Sequence, residues 1–163
     1  MIVVEEKVNE VLSQIPASLD NAPLYAWGDE IHLDAWVKRR NKHGAYNYPL
    51  IYQTSKKEKQ DIIGNRVETF WEAIIATQNS NTTLLNDERW ALSFRNELNP
   101  IAENIIKGFE LGGFIIVDGT VEVERYGNFG DGNENFTIDI WDALTFKCNL
   151  VINDNCVATD LFS

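Results

Sequence analysis

The stretch Phe136-Thr137-Ile138-Asp139-Ile140-Trp141-Asp142-Ala143-Leu144-Thr145-Phe146-Lys147-Cys148-Asn149-Leu150-Val151-Ile152 decides how this chain folds. Phe136, Ile138, Ile140, Leu144, Phe146, Cys148, Leu150 and Ile152 fall on one side, and mostly polar residues on the other. Side chains alternate faces along a strand, so the pattern predicts one long, half-buried strand. Asp142 breaks it by landing on the apolar face. A carboxylate there needs a bulge that re-aims it or a buried partner. Asp142 and its neighbour Trp141 are therefore expected to be buried and structural.

Upstream of that strand, Phe114–Val117 and Thr120–Tyr126 read as two short strands around the turn signal Asp118-Gly119. Gly127–Asn135 reads as a flexible loop, in which Asn128, Phe129 and Asp131 are candidate subunit contacts and Phe129 is the anchor. Asp87 to about Leu111 has helical spacing, with Pro100 kinking it or splitting it after Asn99. Arg66–Thr77 is strand-like, and Ser55–Gln60 reads as a lysine-rich solvated loop. Towards the N-terminus, Val4, Val8, Val11, Leu12 and Ile15 predict an amphipathic helix stopped by Pro16. Pro23–Trp27 and Tyr48–Gln53 are short strands flanking a helix capped by Asp29. The tail after Ile152 is polar and is expected to be poorly ordered at its end. The sum is a single α+β domain over residues 1–163, a mostly antiparallel sheet with helices packed on one face.

Composition narrows the function classes. The net charge of −11 lacks the basic face that wrapping nucleic acid needs, and it disfavours an anionic membrane surface. No segment is apolar for long enough to span a bilayer, and the N-terminus has no signal-peptide pattern. Synthesis in a cytoplasm is the expectation. Cys148 lies on the apolar face and reads as a buried free thiol; the missing export signal argues against a disulfide with Cys156. His32 and His43 make no ligand spacing with each other or with either cysteine, so no metal site is expected. The cluster Asp131-Gly132-Asn133-Glu134-Asn135 is rich in oxygen ligands but departs from the EF-hand loop, and it reads as a hairpin tip. There is no Gly-x-Ser-x-Gly elbow, and the glycines near residue 130 precede a strand rather than a helix, where a phosphate would sit. Glu122 and Glu124 alternate along a strand as a wet face does. No catalytic residue and no cofactor is expected. The five tryptophans read as core or subunit-contact anchors.

An ordered set of motifs adds to this reading. Tyr25-x-Trp27-Gly28-Asp29 precedes a helix, and Tyr48-Pro49-Leu50-Ile51 forms a strand. Trp90, Phe94 and Leu98-Asn99-Pro100-Ile101 follow along a helix, then Trp141-Asp142-Ala143-Leu144, then Cys156. The order resembles neck and tail-completion proteins of tailed bacteriophages, particularly phages of Bacteroidetes hosts. The resemblance implies a virion structural protein without enzymatic activity, a head–tail connector or tail terminator. It implies a sixfold or twelvefold ring of copies between portal or adaptor and tail proteins. DNA would pass through its lumen without sequence-specific binding, and the ring would be assembled in the host cytoplasm. An acidic lumen lets DNA slide. The loop at Gly127–Asn135 is longer than a minimal terminator needs and suits a collar adaptor. The alternative is a cytoplasmic protein- or ligand-binding module without catalysis.

Overall fold

The structure, a computed structural model, describes residues 1–44, 46–78, 83–129 and 141–163. The start of the expected flexible loop is strand instead: Gly127–Phe129 continue the strand from Ile115, with Phe129 paired to Trp141; the rest of the loop, Asp131 included, and the side chains of Asn128 and Phe129 lie outside the described residues. The first five residues of the deciding stretch lie outside them as well.

The rest of that stretch is strand β6, Trp141–Asn153, and it runs through the middle of the sheet. The other strands are β1 (Leu24–Trp27), β2 (Leu50–Gln53), β3 (Glu58–Asp61), β4 (Arg66–Gln78) and β5 (Ile115–Phe129). Their order is β1-β2-β4-β6-β5, with β3 also paired to β4. β6 is antiparallel to β4 from Arg66↔Asn153 to Gln78↔Trp141, and antiparallel to β5 on its other side. Among the described strands only β1 and β2 run parallel. The α+β class with a mostly antiparallel sheet is as the sequence predicts.

Alternation along β6 and β4 builds two cores. On one face, Leu144, Phe146, Cys148, Leu150 and Ile152 join Val67, Trp71 and Ile75. Helix α1 (Val4–Leu12) and helix α4 (Asn99–Leu111) cover them with Val8, Val11, Ile105 and Phe109. The Trp71 ring meets Phe109 and Phe146 edge-on, at centroid distances of 5.2 and 5.8 Å, a favoured aromatic geometry. On the other face, Trp141, Ala143, Ile74 and Ala76 pack under Leu33 and Val37 of helix α2 (Glu30–Lys42). Most of the helical mass therefore lies on one face as expected, and α2 takes the other. Joining two parallel strands requires a crossover, and α2 is that crossover.

Three more local expectations are corrected, and one is refined. The lysine-rich segment is not all loop: β3 pairs with β4 through Lys59↔Glu68 and its neighbours. An edge strand tolerates charge because one side of it faces water. Phe114–Tyr126 is not a hairpin. Ile116↔Leu150 and Val121↔Cys148 keep one strand, β5, in register with β6, and Val117–Thr120 bulge out between them. Asp118-Gly119 forms the bulge, with Gly119 at φ 62°. The long helix expected to kink or split around Pro100 changes type there. Helix α3 (Asn86–Arg89) continues into a π-helical segment, Trp90–Leu98, and then into α4. The wider π turn absorbs the missing N–H and the ring of Pro100. Lastly, the tail is packed: Leu161 and Phe162 lie against the first core, and Gln14 Nε2 donates to the Ala158 carbonyl at 2.7 Å.

Candidate functional site

Asp142 is fully buried on β6, where the π-helical segment crosses the sheet. Ser93 Oγ donates to its Oδ2 at 2.5 Å, and Arg89 Nε lies 3.2 Å from its Oδ1. The Arg89 side chain is only 12% exposed, so the pair sits largely away from water. Gly127 leaves the room: a Cβ there would meet Arg89 Cδ at 2.9 Å. Trp141, one residue earlier, points to the opposite face and donates from Nε1 to Tyr48 Oη at 2.5 Å. The two expected structural residues are thus both buried, each with a polar partner. They fasten β6 to different layers.

The chemistry of this cluster is that of a fastening. The Ser93 hydroxyl proton is directed at a carboxylate whose charge Arg89 balances. Both histidines lie on or just after α2, across the sheet from Ser93. Cys148 is buried and free, and burial pushes its thiol up to about 12, so it carries little thiolate at neutral pH. Tyr25 Oη and Trp71 Nε1 both donate to Gln53 Oε1 at 2.6 Å, which satisfies a buried amide and locks β1, β2 and β4 together. Burial, with a smaller contribution from Glu5, drives the Tyr25 phenol strongly upward. Among the described residues no three His, Cys, Asp or Glu side chains are grouped to hold a metal. None of their helices is long and apolar enough to cross a membrane.

The surface offers more to a partner. Helix α2 covers only the Trp141 end of its face. Beyond it, strands β3, β4 and β6 present Lys59, Glu68, Phe70, Glu72, Lys147 and Asn149. Three adjoining hollows of about 620, 410 and 300 Å³ make a trough across this face. Shared residues link them: Lys56, Lys57 and Phe70 join the first two, and Glu30, Thr54 and Glu72 the last two. Phe70 is 45% exposed on the trough floor, an aromatic anchor among charges of both signs. Lys147 Nζ lies 3.8 Å from Glu72, and Lys56 Nζ 2.5 Å from Asp29. The Lys56 ammonium, by hydrogen bond and charge, holds the Asp29 carboxyl below its usual range. These are solvated side chains around an apolar spot, suited to docking a flat or extended surface.

A second unpartnered feature is the outer edge of β5, along which no described strand pairs. It spans 15 residues and exposes Ile115 and Val117. Sequence reading missed both features. Phe70 alternates with Glu68 and Glu72, which marks a wet strand face, but only the position of α2 shows where that face is left open.

No protein-family model matches this chain, and no curated protein matches it.

Proposed function

We propose that this chain is a virion structural protein, a subunit of a homo-oligomeric ring in the neck or tail of a tailed bacteriophage. It acts as head–tail connector or tail terminator, joins portal or adaptor to tail proteins and catalyses nothing. The observation that carries the reading is a two-core sheet with two surfaces that no described element covers, the Phe70 trough and the outer edge of β5. A ring subunit needs two such surfaces, since each copy meets a neighbour on either side. The ordered motifs from Tyr25 to Trp141 support it. The −11 charge fits a channel that passes DNA without holding it.

The second reading, a non-catalytic binding module, draws on the trough alone: one aromatic anchor in a charged groove is also how a single partner is held. Sedimentation of the purified chain, alone and with portal protein, separates the two. Sixfold or twelvefold species support the ring; a monomer or dimer that never associates with portal favours the binding module.

A further inference from the structure

Charge is spread unevenly along this chain. Its 25 acids outnumber its 14 lysines and arginines, yet from Ile31 to Lys57 a single acid, Asp34, stands against six of those cations. Four of the six, Lys38, Arg39, Arg40 and Lys42, lie in the second half of helix α2. Lys38 takes Asp34, at 2.5 Å. Arg39, Arg40 and Lys42 have no carboxylate partner among the described residues. Arg39, Lys42 and the C-capping residue His43 are exposed and spaced i, i+3 and i+4, so they share one side of the helix end.

Arg40 is held in place beside them. Its Nε donates to Asn47 Oδ1 and its Nη2 to the Tyr46 carbonyl, both at 3.0 Å. Asn47 is buried, and its Nδ2 donates to Asn41 Oδ1. The guanidinium lies over the Trp36 ring, 5.2 Å from the centroid, and Trp36 packs against the second core. All these partners are neutral, so the network fixes the cation without balancing its charge, and it leaves most of the guanidinium donors unused. A helix C-terminus favours positive charge for its own sake. The dipole accounts for cations near the last carbonyls. It does not account for a guanidinium tied by a buried asparagine to the segment beyond the helix.

We propose that this end of α2 meets the phosphate backbone of duplex DNA, with Arg40 as the fixed donor and Arg39, Lys42 and His43 as flexible cations at its side. A guanidinium fork suits phosphate oxygens, and such contacts carry no sequence information. Between Lys38 and Asn47 the one exposed large hydrophobic among the described residues is Tyr46. Lysine is depleted at protein interfaces, so a patch of cations with so little apolar surface favours a polyanion over a protein partner. The inference rests on the ring reading for the source of its ligand, and it turns α2 towards the lumen. A few phosphate contacts on an otherwise acidic chain touch DNA without gripping it.

Anisotropy of a short labelled duplex, titrated with the full chain at low salt, tests it. Binding is expected in the range of about 10⁻⁴–10⁻⁶ M, falling with salt at a log–log slope of about −2 to −4, as for three or four phosphates. Arg39→Glu with Lys42→Glu should weaken it by about tenfold or more and leave the melting curve unchanged, because both side chains are exposed. Arg95→Glu with Lys107→Glu makes the same change in net charge on the opposite layer and should weaken it far less. Arg40→Lys keeps the charge and loses the fork, so binding should drop several-fold. No binding, equal loss from the two double variants, or undiminished binding by Arg40→Lys overturns the proposal. Inorganic phosphate that displaces the duplex far better than chloride at equal ionic strength would mark a site for a free phosphate ion and overturn it too. So would loss of self-association in the Arg39→Glu, Lys42→Glu variant without any DNA binding, which assigns the patch to a second copy. Sedimentation keeps the ring reading separate. Rings that ignore the duplex sink this site and spare the ring, whereas a monomer that binds the duplex through α2 sinks the ring and spares the site.

Discussion

Ser93 and Asp142, 49 residues apart in sequence, meet at 2.5 Å inside the protein, hydroxyl to carboxylate. With Arg89 at 3.2 Å they join the π-helical segment to the central strand of the sheet. A charge in that position is tolerated because a countercharge and a donor come with it.

Asp142→Ala should strongly destabilise the fold, since it leaves Arg89 inside without its carboxylate. Breaking a buried pair from one side costs about 3–5 kcal/mol. For a domain of this size each kcal/mol lowers the melting temperature by roughly 2–4 °C. Replacing both partners, Arg89→Met with Asp142→Leu, should recover much of the loss. Chemical denaturation of the single and double variants measures this; an Asp142→Ala protein as stable as wild type contradicts it.

Gly127→Ala should reach the same latch from the other side. The added methyl meets Arg89 Cδ at 2.9 Å, and moving the guanidinium pulls it from Asp142. Overpacking of this kind costs about 1–3 kcal/mol. The substitution should have much less effect in an Arg89→Ala background, a non-additivity that a double-mutant cycle reads directly.

Cys148 gives a pH signature. Its folded thiol is raised from 9.0 to about 12 by burial. Between those values the unfolded chain ionises while the folded chain keeps its proton, so stability falls as pH rises. The slope from this group is at most about 1.4 kcal/mol per pH unit. Tyr25, also raised, adds to the fall at higher pH. Cys148→Ala should flatten the profile just above pH 9.0, where the thiol alone begins to contribute. In the native protein a thiol reagent should label Cys156 and spare Cys148 until unfolding.

Phe70→Ser should separate folding from association. The side chain is 45% exposed and outside both cores, so stability should change by no more than about 0.5 kcal/mol. Binding across the trough should weaken by about tenfold, as for other aromatic anchors. Sedimentation and a melting curve on the same sample check both halves.

Much of the fold was legible because it rests on alternation. The apolar parity of Leu144 to Ile152 named the core face of β6, and the one violation, Asp142, named the residue that needed partners. Those partners were not legible. Ser93 and Arg89 look like ordinary polar helix residues until the π-helical segment brings them over β6. Asp118-Gly119 misled because the same two residues suit a hairpin turn and a bulge, and only pairing with β6 on both sides of it decides between them. Lys59 misled because a strand edge is chosen by a free neighbouring strand rather than by its own side chains. The trough was hidden for a related reason: it is the part of a sheet face that α2 does not reach, and no local pattern encodes the reach of a helix.

We propose that this chain builds part of a phage particle. Purified virions of a phage that encodes it, probed with antibody against the folded protein and imaged by electron microscopy, test that claim most directly. Label confined to the neck or tail, at a fixed small number of copies per particle, is the expected result. Virions that carry none of the protein, while infected cells contain it in quantity, would contradict the account.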